Sequence, residues 1–291
     1  MAFHRLPTYF LSHGGGPWPW LKDLRPGVYD QLEQSLQDTR RELGELPRAV
    51  LMISGHWEAD RFLVSSAAQP PMYYDYSGFP EHTYRIRYDA PGDPDLAVTV
   101  RTMLEGGGMP SGLDPRRGYD HGTFSLMQVL YPEAKLPLVQ LAMKADFNPA
   151  EHIRVGELLA PLRDQGVLIV GSGFSFHDTR SIINGAGKAA SAAFDGWLNE
   201  TLVETTPEER LQRLVEWSSA PSARAAHPRE DHLIPLMVAA GAAGNDAATR
   251  VYHESAFMGS ITASSYRFGS PVISSDGRMT ETSTRMEEAA I

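Results

Sequence analysis

The chain of 291 residues contains no cysteine. Disulfides, thiolate metal sites and cysteine nucleophiles are therefore excluded. No apolar run approaches the roughly 20 residues that a membrane-spanning helix needs, so no membrane partner is expected. Positive charge is scarce: 26 Lys and Arg stand against 36 Asp and Glu, a formal net charge of −10. A nucleic-acid partner would require a basic surface, so none is expected either. The acids are scattered, as on an ordinary solvated surface. The opening segment MAFHRLPTYFLSHGGG lacks a secretory pattern, since its apolar run is short and ends in histidine. Together with the lack of cysteine, this makes a cytoplasmic location the expectation. Familiar catalytic signatures are missing too. There is no HExxH; HGGGPW lacks the lysine of a phosphate loop; and GSGFS (171–175) is not the GxSxG elbow, which leaves a Ser172–His hydrolase as a weak option.

What is present suits a soluble globular protein: 42% apolar and 21% charged residues, with enough length to bury a full core. No repeat and no long linker interrupts it. Short aliphatic or β-branched runs predict strands at 8–12, 48–54, 61–66, 137–142, 166–171 and 271–275. Helices are expected at 27–43, 94–105, 123–131, 150–164, 188–204, 207–218 and 232–241. Asn148 with Pro149, and the TTPEER segment, supply cap-and-proline starts for two of them. The alternation predicts an α/β fold, with a central, mostly parallel sheet flanked by helices. We read residues 1–291 as a single domain with its core at about 7–275. The polar tail 276–291 would be a frayed end or an oligomer arm. The long segment 69–94 is rich in aromatic residues, proline and glycine, which argues for a functional loop rather than disorder.

Three of the ten histidines share a setting. His13 in YFLSHGGGPWPW, His56 in AVLMISGHW and His177 in VLIVGSGFSFH each follow a run that reads as a buried strand. Ligands of open α/β sheets bind beyond the carboxyl ends of the strands, and imidazole is the commonest metal ligand. Three imidazoles delivered there could meet at one ion. The neighbouring glycines (Gly14 to Gly16, Gly55, Gly171, Gly173) would then turn the backbone and clear space for the ion and its ligand. Each histidine taken singly reads equally well as a hydrogen-bonded loop residue. His121 lies in a polar turn before a helix, either as a cap or pointing into a cleft. His232 opens an apolar helix beside Glu230 and Asp231, where the acids also suit a helix N-terminus.

The segments SHGGGP, SGHWE, FPEHTYRIRYDAPGDPDLA, GYDHGTFSLMQVLYPEAKLPLVQLAM, GSGFSFHDTR and EDHLIPLMVAAGAAG occur in an order that resembles the class III extradiol ring-cleavage dioxygenases of the LigB superfamily. The nearest likeness is to the 4,5-DOPA dioxygenase-like branch, over roughly residues 7–266. The resemblance implies a non-haem Fe(II) enzyme that splits a catechol ring with O2. By motif match it places His13, His56 and His232 on metal positions. His177 falls on an acid/base position and is a possible fourth ligand; His121 falls on a position facing substrate or oxygen. Family members of the more familiar type carry a glutamate as third ligand; here that position reads as His232, with Glu230 as fallback. Three imidazoles also bind Zn(II) well, so zinc is a second candidate metal.

On this reading His177 takes a proton from the catechol and returns it, and His121 hydrogen-bonds oxygen or a substrate hydroxyl. A histidine near its ordinary pKa of about 6.5 suits the proton-transfer role. Trp18, Trp57, Tyr119, Phe124 and Phe176, neighbours of the motif histidines, are expected to line a slot for a planar substrate. Arg116 and Arg117 are candidates for meeting a substrate carboxylate. A zinc hydrolase using the same histidines and a metal-free binding protein remain the alternatives. The catechol, the regiochemistry and the choice between monomer and homodimer stay open.

Overall fold

The structure, a computed structural model, describes residues 4–44 and 47–272. Among the described residues, eight strands form one sheet: β1 (Thr8–Ser12), β2 (Ala49–Ala59), β3 (Phe62–Ser65), β4 (Ser111–Asp114), β5 (Leu138–Lys144), β6 (Val167–Gly173), β7 (Ala248–Phe257) and β8 (Ile261–Phe268). Their order is β4-β3-β5-β2-β6-β1-β8-β7. The central four, β5-β2-β6-β1, are all parallel. They are buried almost throughout, which is why they read as continuous apolar runs. On one side of this block β8 runs antiparallel to β1, and β7 antiparallel to β8. On the other side β3 meets β5 antiparallel and β4 pairs parallel with β3. The expected α/β architecture is the observed one.

The expected helices appear as α1 (Asp30–Leu43), α2 (Pro94–Gly106), α3 (His121–Leu130), α4 (Pro149–Leu159), α6 (Lys188–Asn199), α7 (Pro207–Val215) and α9 (Ile234–Ala243). Two short helices lie outside the expected set, α5 (Thr179–Asn184) and α8 (Ala223–Ala226). The caps work as their sequences suggest: Asn148 accepts from the Glu151 N–H at 3.2 Å and Thr206 from the Glu209 N–H at 3.2 Å. Every residue of α9 is buried. Its small side chains let it lie against α4, β6 and β1 at once, as a helix apolar all round must be enclosed. α9 begins two residues after His232, so this packing anchors one end of the site.

Three expectations need correction or reassignment. The strand expected at 271–275 is not one: residues 271–272 are irregular, and 273–275 lie outside the described residues, as does the polar tail 276–291. The unexpected hairpin β7–β8 supplies the sheet's real edge. β7 is mostly exposed or half-buried, with only Ala248, Tyr252 and Phe257 buried, while β8 is buried but half of it is Ser, Thr and Ala, so neither reads as an aliphatic run. Finally, α3 starts at His121 rather than 123, because Asp120 caps it by accepting from the Thr123 N–H at 3.0 Å.

Candidate metal centre

Five imidazoles meet at the carboxyl ends of the central strands. His13 leaves β1 with its N–H donated to the Gly173 carbonyl at 3.2 Å. At the next residue Gly14 has φ +77°, and Trp18 packs where a Cβ would sit while donating its indole N–H to the His13 carbonyl at 2.8 Å. The sharp turn therefore seats an indole under the histidine backbone. His56 lies in β2 where the register shifts between Ile53 and Glu58, an irregularity that re-aims a side chain. His121 opens α3. His177 follows β6 and donates its N–H to the Ala226 carbonyl at 2.8 Å. His232 stands in the turn before α9, its carbonyl accepting from the Phe174 N–H at 3.0 Å.

The rings are closely grouped. Centroids lie 5.0 Å apart for His13 and His56, 5.4 Å for His13 and His121, 5.2 Å for His13 and His232, and 3.9 Å for His56 and His121. His177 stacks on His232 at 3.3 Å. Nitrogens of His13, His56 and His121 lie within 4.8 Å of one another, as do ligand atoms of His177, Asp231 and His232. The two groups join where His56 Nε2 and His232 Nε2 stand 3.1 Å apart.

These residues fit a divalent ion on three counts. Both ring nitrogens of His13 are buried without a hydrogen-bond partner, a cost that ligation would remove. Two nitrogens 3.1 Å apart, each about 2.1 Å from one ion, subtend roughly 95° at it, close to neighbouring positions of an octahedron. The three candidate ligands are also neutral. Burial, then the neighbouring histidines, push His13, His56 and His232 well below the ordinary histidine range, leaving the unprotonated form that binds metal. Burial and His121 likewise bring His177 down to about 4, against the opposing pull of Asp178. Asp231, whose Oδ2 lies 3.0 Å from His232 Nδ1, is raised to about 6 by burial.

The histidines form the floor of a cavity of about 390 Å³, walled by Trp18, Tyr76, Phe79, Phe174 and Phe257 among others.

The family described as the catalytic LigB subunit of aromatic ring-opening dioxygenase matches residues 7–269. The chain belongs to this family. It is similar to the protein named 4,5-DOPA dioxygenase extradiol from Beta vulgaris, at 36% identity over 267 residues, covering 90% of this chain and 96% of the relative. A protein of the same name from Escherichia coli (strain K12) is 30% identical over 273 residues, covering 92% and 97%. The fold is similar to the crystal structure of an uncharacterized Escherichia coli K12 protein, with a TM-score of 0.73 and 26% identity, covering 91% of this chain and all of that one, 100%. The chain is thus an extradiol ring-cleavage dioxygenase, which takes a small aromatic substrate and O2 and whose imidazole cluster points to a metal cofactor. The zinc-hydrolase and metal-free binding readings are set aside. Among the described residues no helix is long and apolar enough to cross a membrane.

In the dioxygenase several expected residues stand away from the cavity. Of the five aromatic candidates only Trp18 lines it. Trp57 packs against the Arg117 guanidinium, 4.9 Å from its ring centre. Tyr119 is buried and donates its hydroxyl to the Leu138 carbonyl at 3.0 Å. Phe176 is buried against Gly187. Phe124 forms a second layer, 6.3 Å behind the Tyr76 ring. Arg117 is committed to Asp120 at 2.6 Å and to the His56 carbonyl at 3.2 Å, while Arg116 is an exposed residue of a turn. Glu230 pairs with Arg224 at 2.7 Å and is not among the clustered groups; Asp231 is.

His177 departs from the expected unshifted histidine. The glycines also divide in use. Gly14 to Gly16 line the cavity, but Gly171 and Gly173 admit the backbone of Pro235 and His232 rather than an ion. Sequence reasoning misses Asp75 altogether. Its Oδ2 lies 2.9 Å from His121 Nδ1 and 3.3 Å from His56 Nδ1. The one available signal is its place in the aromatic loop 69–94.

Proposed function

We propose that this dioxygenase uses Fe(II) to open a catechol ring beside its hydroxyls, with His13, His56 and His232 holding the metal. The supporting observation is the convergence of neutral imidazoles, with both nitrogens of His13 buried and unpartnered, at the floor of an aromatic-walled cavity. Fe(II) held by such ligands supplies Lewis acidity that ionises a catechol hydroxyl and a centre at which O2 is activated.

The chain's own groups do the rest. Trp18, Phe79 and Phe174 bound a largely apolar space that orients an aromatic ring and limits water. His177 is in its free-base form at neutral pH, so it accepts a proton from the substrate. Its low pKa makes the imidazolium a willing donor when the proton returns. His121 faces the same cavity and accepts a hydrogen bond from a substrate hydroxyl at Nε2. A DOPA-like catechol is the first substrate to try, because relatives at 30% and 36% identity carry that name. Zn(II), which the same donors would accept, is the inactive form.

Anaerobic loading with Fe(II), followed by air and a panel of catechols, tests this. Oxygen uptake should accompany the appearance of a yellow semialdehyde. A fully iron-loaded protein that leaves every catechol intact and consumes no O2 defeats the proposal.

A further inference from the structure

We infer that Asp75 is a positioning residue that sets the tautomer of His121 through a hydrogen bond and favours the same tautomer at the adjacent His56, so that Nε2 of each ring faces the centre with its lone pair. This rests on the metal-centre reading above. Asp75 belongs to no strand or helix; it sits in the loop that also supplies Tyr76 and Phe79 to the cavity wall. Its side chain is only 10% exposed. One carboxylate oxygen, Oδ1, accepts from the His121 backbone N–H at 2.9 Å. The other, Oδ2, lies 2.9 Å from His121 Nδ1 and 3.3 Å from His56 Nδ1. An ionised carboxylate only accepts hydrogen bonds. The His121 Nδ1 bonded to it is therefore the donor, and in the neutral ring the lone pair falls on Nε2; at His56 the carboxylate makes no hydrogen bond but, 3.3 Å from Nδ1, favours the same Nδ1–H tautomer.

The arrangement does two things. It fixes the tautomer of His121 and biases that of His56, the two rings whose Nε2 atoms are the candidates for metal or substrate contact. It also ties the cavity wall to the histidine cluster, since Tyr76 follows Asp75 directly and its ring lies 5.9 Å from that of His121. The backbone bond to His121 fixes the start of α3 by the same side chain. The pattern is that of an outer carboxylate orienting a metal-binding histidine. In this chain a single carboxylate serves two rings.

Asp75→Asn tests the inference with almost no change in volume. The amide keeps one acceptor and gains a donor. If its oxygen stays on the backbone N–H, the NH2 faces the rings and favours lone pairs on Nδ1, with protons moved to Nε2. The 15N chemical shifts of histidine in metal-free protein distinguish the two ring nitrogens directly. Wild type should show two cavity histidines as Nδ1–H. In Asp75→Asn at least the His121 signal should change to Nε2–H or to exchange between tautomers.

Zn(II) affinity, measured by competition with a chelator, should fall about 10- to 100-fold. Asp75→Glu should recover part of it. Far-UV circular dichroism and His152 signals, remote from the site, should be unchanged. Asp75→Ala is the second variant, expected to show mixed tautomers. Unchanged tautomers in both variants, or affinity within twofold of wild type, overturn the inference. The metal-free spectra decide it even for a protein with no tight metal site, so failure of the metal-centre reading appears separately, as wild type that does not bind Zn(II).

Discussion

Gly173 ends β6 between two of the histidines, and adding one methyl group there should damage both fold and site. Its carbonyl accepts from the His13 N–H, and the following N–H, of Phe174, donates to the His232 carbonyl. A Cβ at 173 would lie 2.1 Å from the His232 carbonyl oxygen and 2.9 Å from a ring carbon of Phe10. Ordinary C···O contacts need about 3.3 Å, so the His232 backbone would have to withdraw by roughly 1 Å. Ligand placement in a metal site tolerates only about 0.2 Å.

Gly173→Ala should therefore cost about 1–3 kcal/mol of stability through overpacking. It should also weaken Zn(II) binding at least about tenfold, equivalent to ~1.4 kcal/mol. Urea unfolding of the metal-free protein and chelator competition measure the two effects. Gly196→Ala is the matched control, since Gly196 lies exposed in α6 and a Cβ there would have nothing within 4 Å. Neither glycine has a positive φ, so only the surroundings differ, and the control should be stabilised by about 0.4–1 kcal/mol. If Gly173→Ala unfolds and binds metal as wild type does, the role given to this close approach is wrong.

Other consequences are equally direct. His13→Ala should abolish stoichiometric metal binding, while His177→Ala should retain the metal and lose turnover by about 100-fold or more; loss of metal in the second variant would make His177 a ligand instead. Asp120 is fully buried and accepts from Ser54 at 2.7 Å, Arg117 at 2.6 Å and Gln140 at 3.2 Å. Asp120→Ala strands the Arg117 charge and should destabilise by about 3–5 kcal/mol; a loss under about 1 kcal/mol by urea titration refutes this. His227 is buried away from the cavity and lowered to about 3 by burial and by His177. Above about pH 6.5 it is neutral folded or unfolded; below that only the unfolded chain takes up the proton. Stability therefore falls as pH drops from about 6.5 toward 3, by ~1.4 kcal/mol per unit for this group. His227→Gln should remove that share of the slope, and an unchanged slope between about pH 6 and 5 counts against it.

The sequence carries the parallel centre of the fold plainly and its edges poorly. β1 at 8–12 and β6 near 166–171 are legible because strands buried on both faces must be apolar at every position. β7 and β8 are not, because an edge hairpin faces solvent on one side and β8 fills its buried positions with hydroxyl side chains that bond across the sheet, such as Ser265 Oγ accepting from the Ser12 N–H at 2.9 Å. The histidines are legible because each motif couples an imidazole to a strand end or a helix start. Asp75 is not, because nothing local marks a loop carboxylate as buried until the loop folds over the cluster.

The aromatic residues show why adjacency in the chain is a poor guide to adjacency in a site. Successive side chains in a strand point to opposite faces, so the residue next to a cavity-facing histidine is the one least able to share its cavity. Trp57 follows His56 in β2 and packs with Arg117. Beyond the end of β6, where the chain is irregular, Phe176 likewise turns away from His177 and is enclosed beside Gly187. The rings that do line the cavity come from further along each segment or from other segments: Phe174 three residues before His177, Tyr76 and Phe79 from the loop, and Phe257 from the end of β7. Phe79 fills the space where a Cβ at Gly16 would fall, 2.5 Å from its ring. The glycines after His13 thus make room for a substrate wall contributed by a loop distant in the chain. The histidine half of the cavity is written in short motifs, whereas its aromatic wall is assembled by tertiary contact, from a loop that also brings Asp75 against His121.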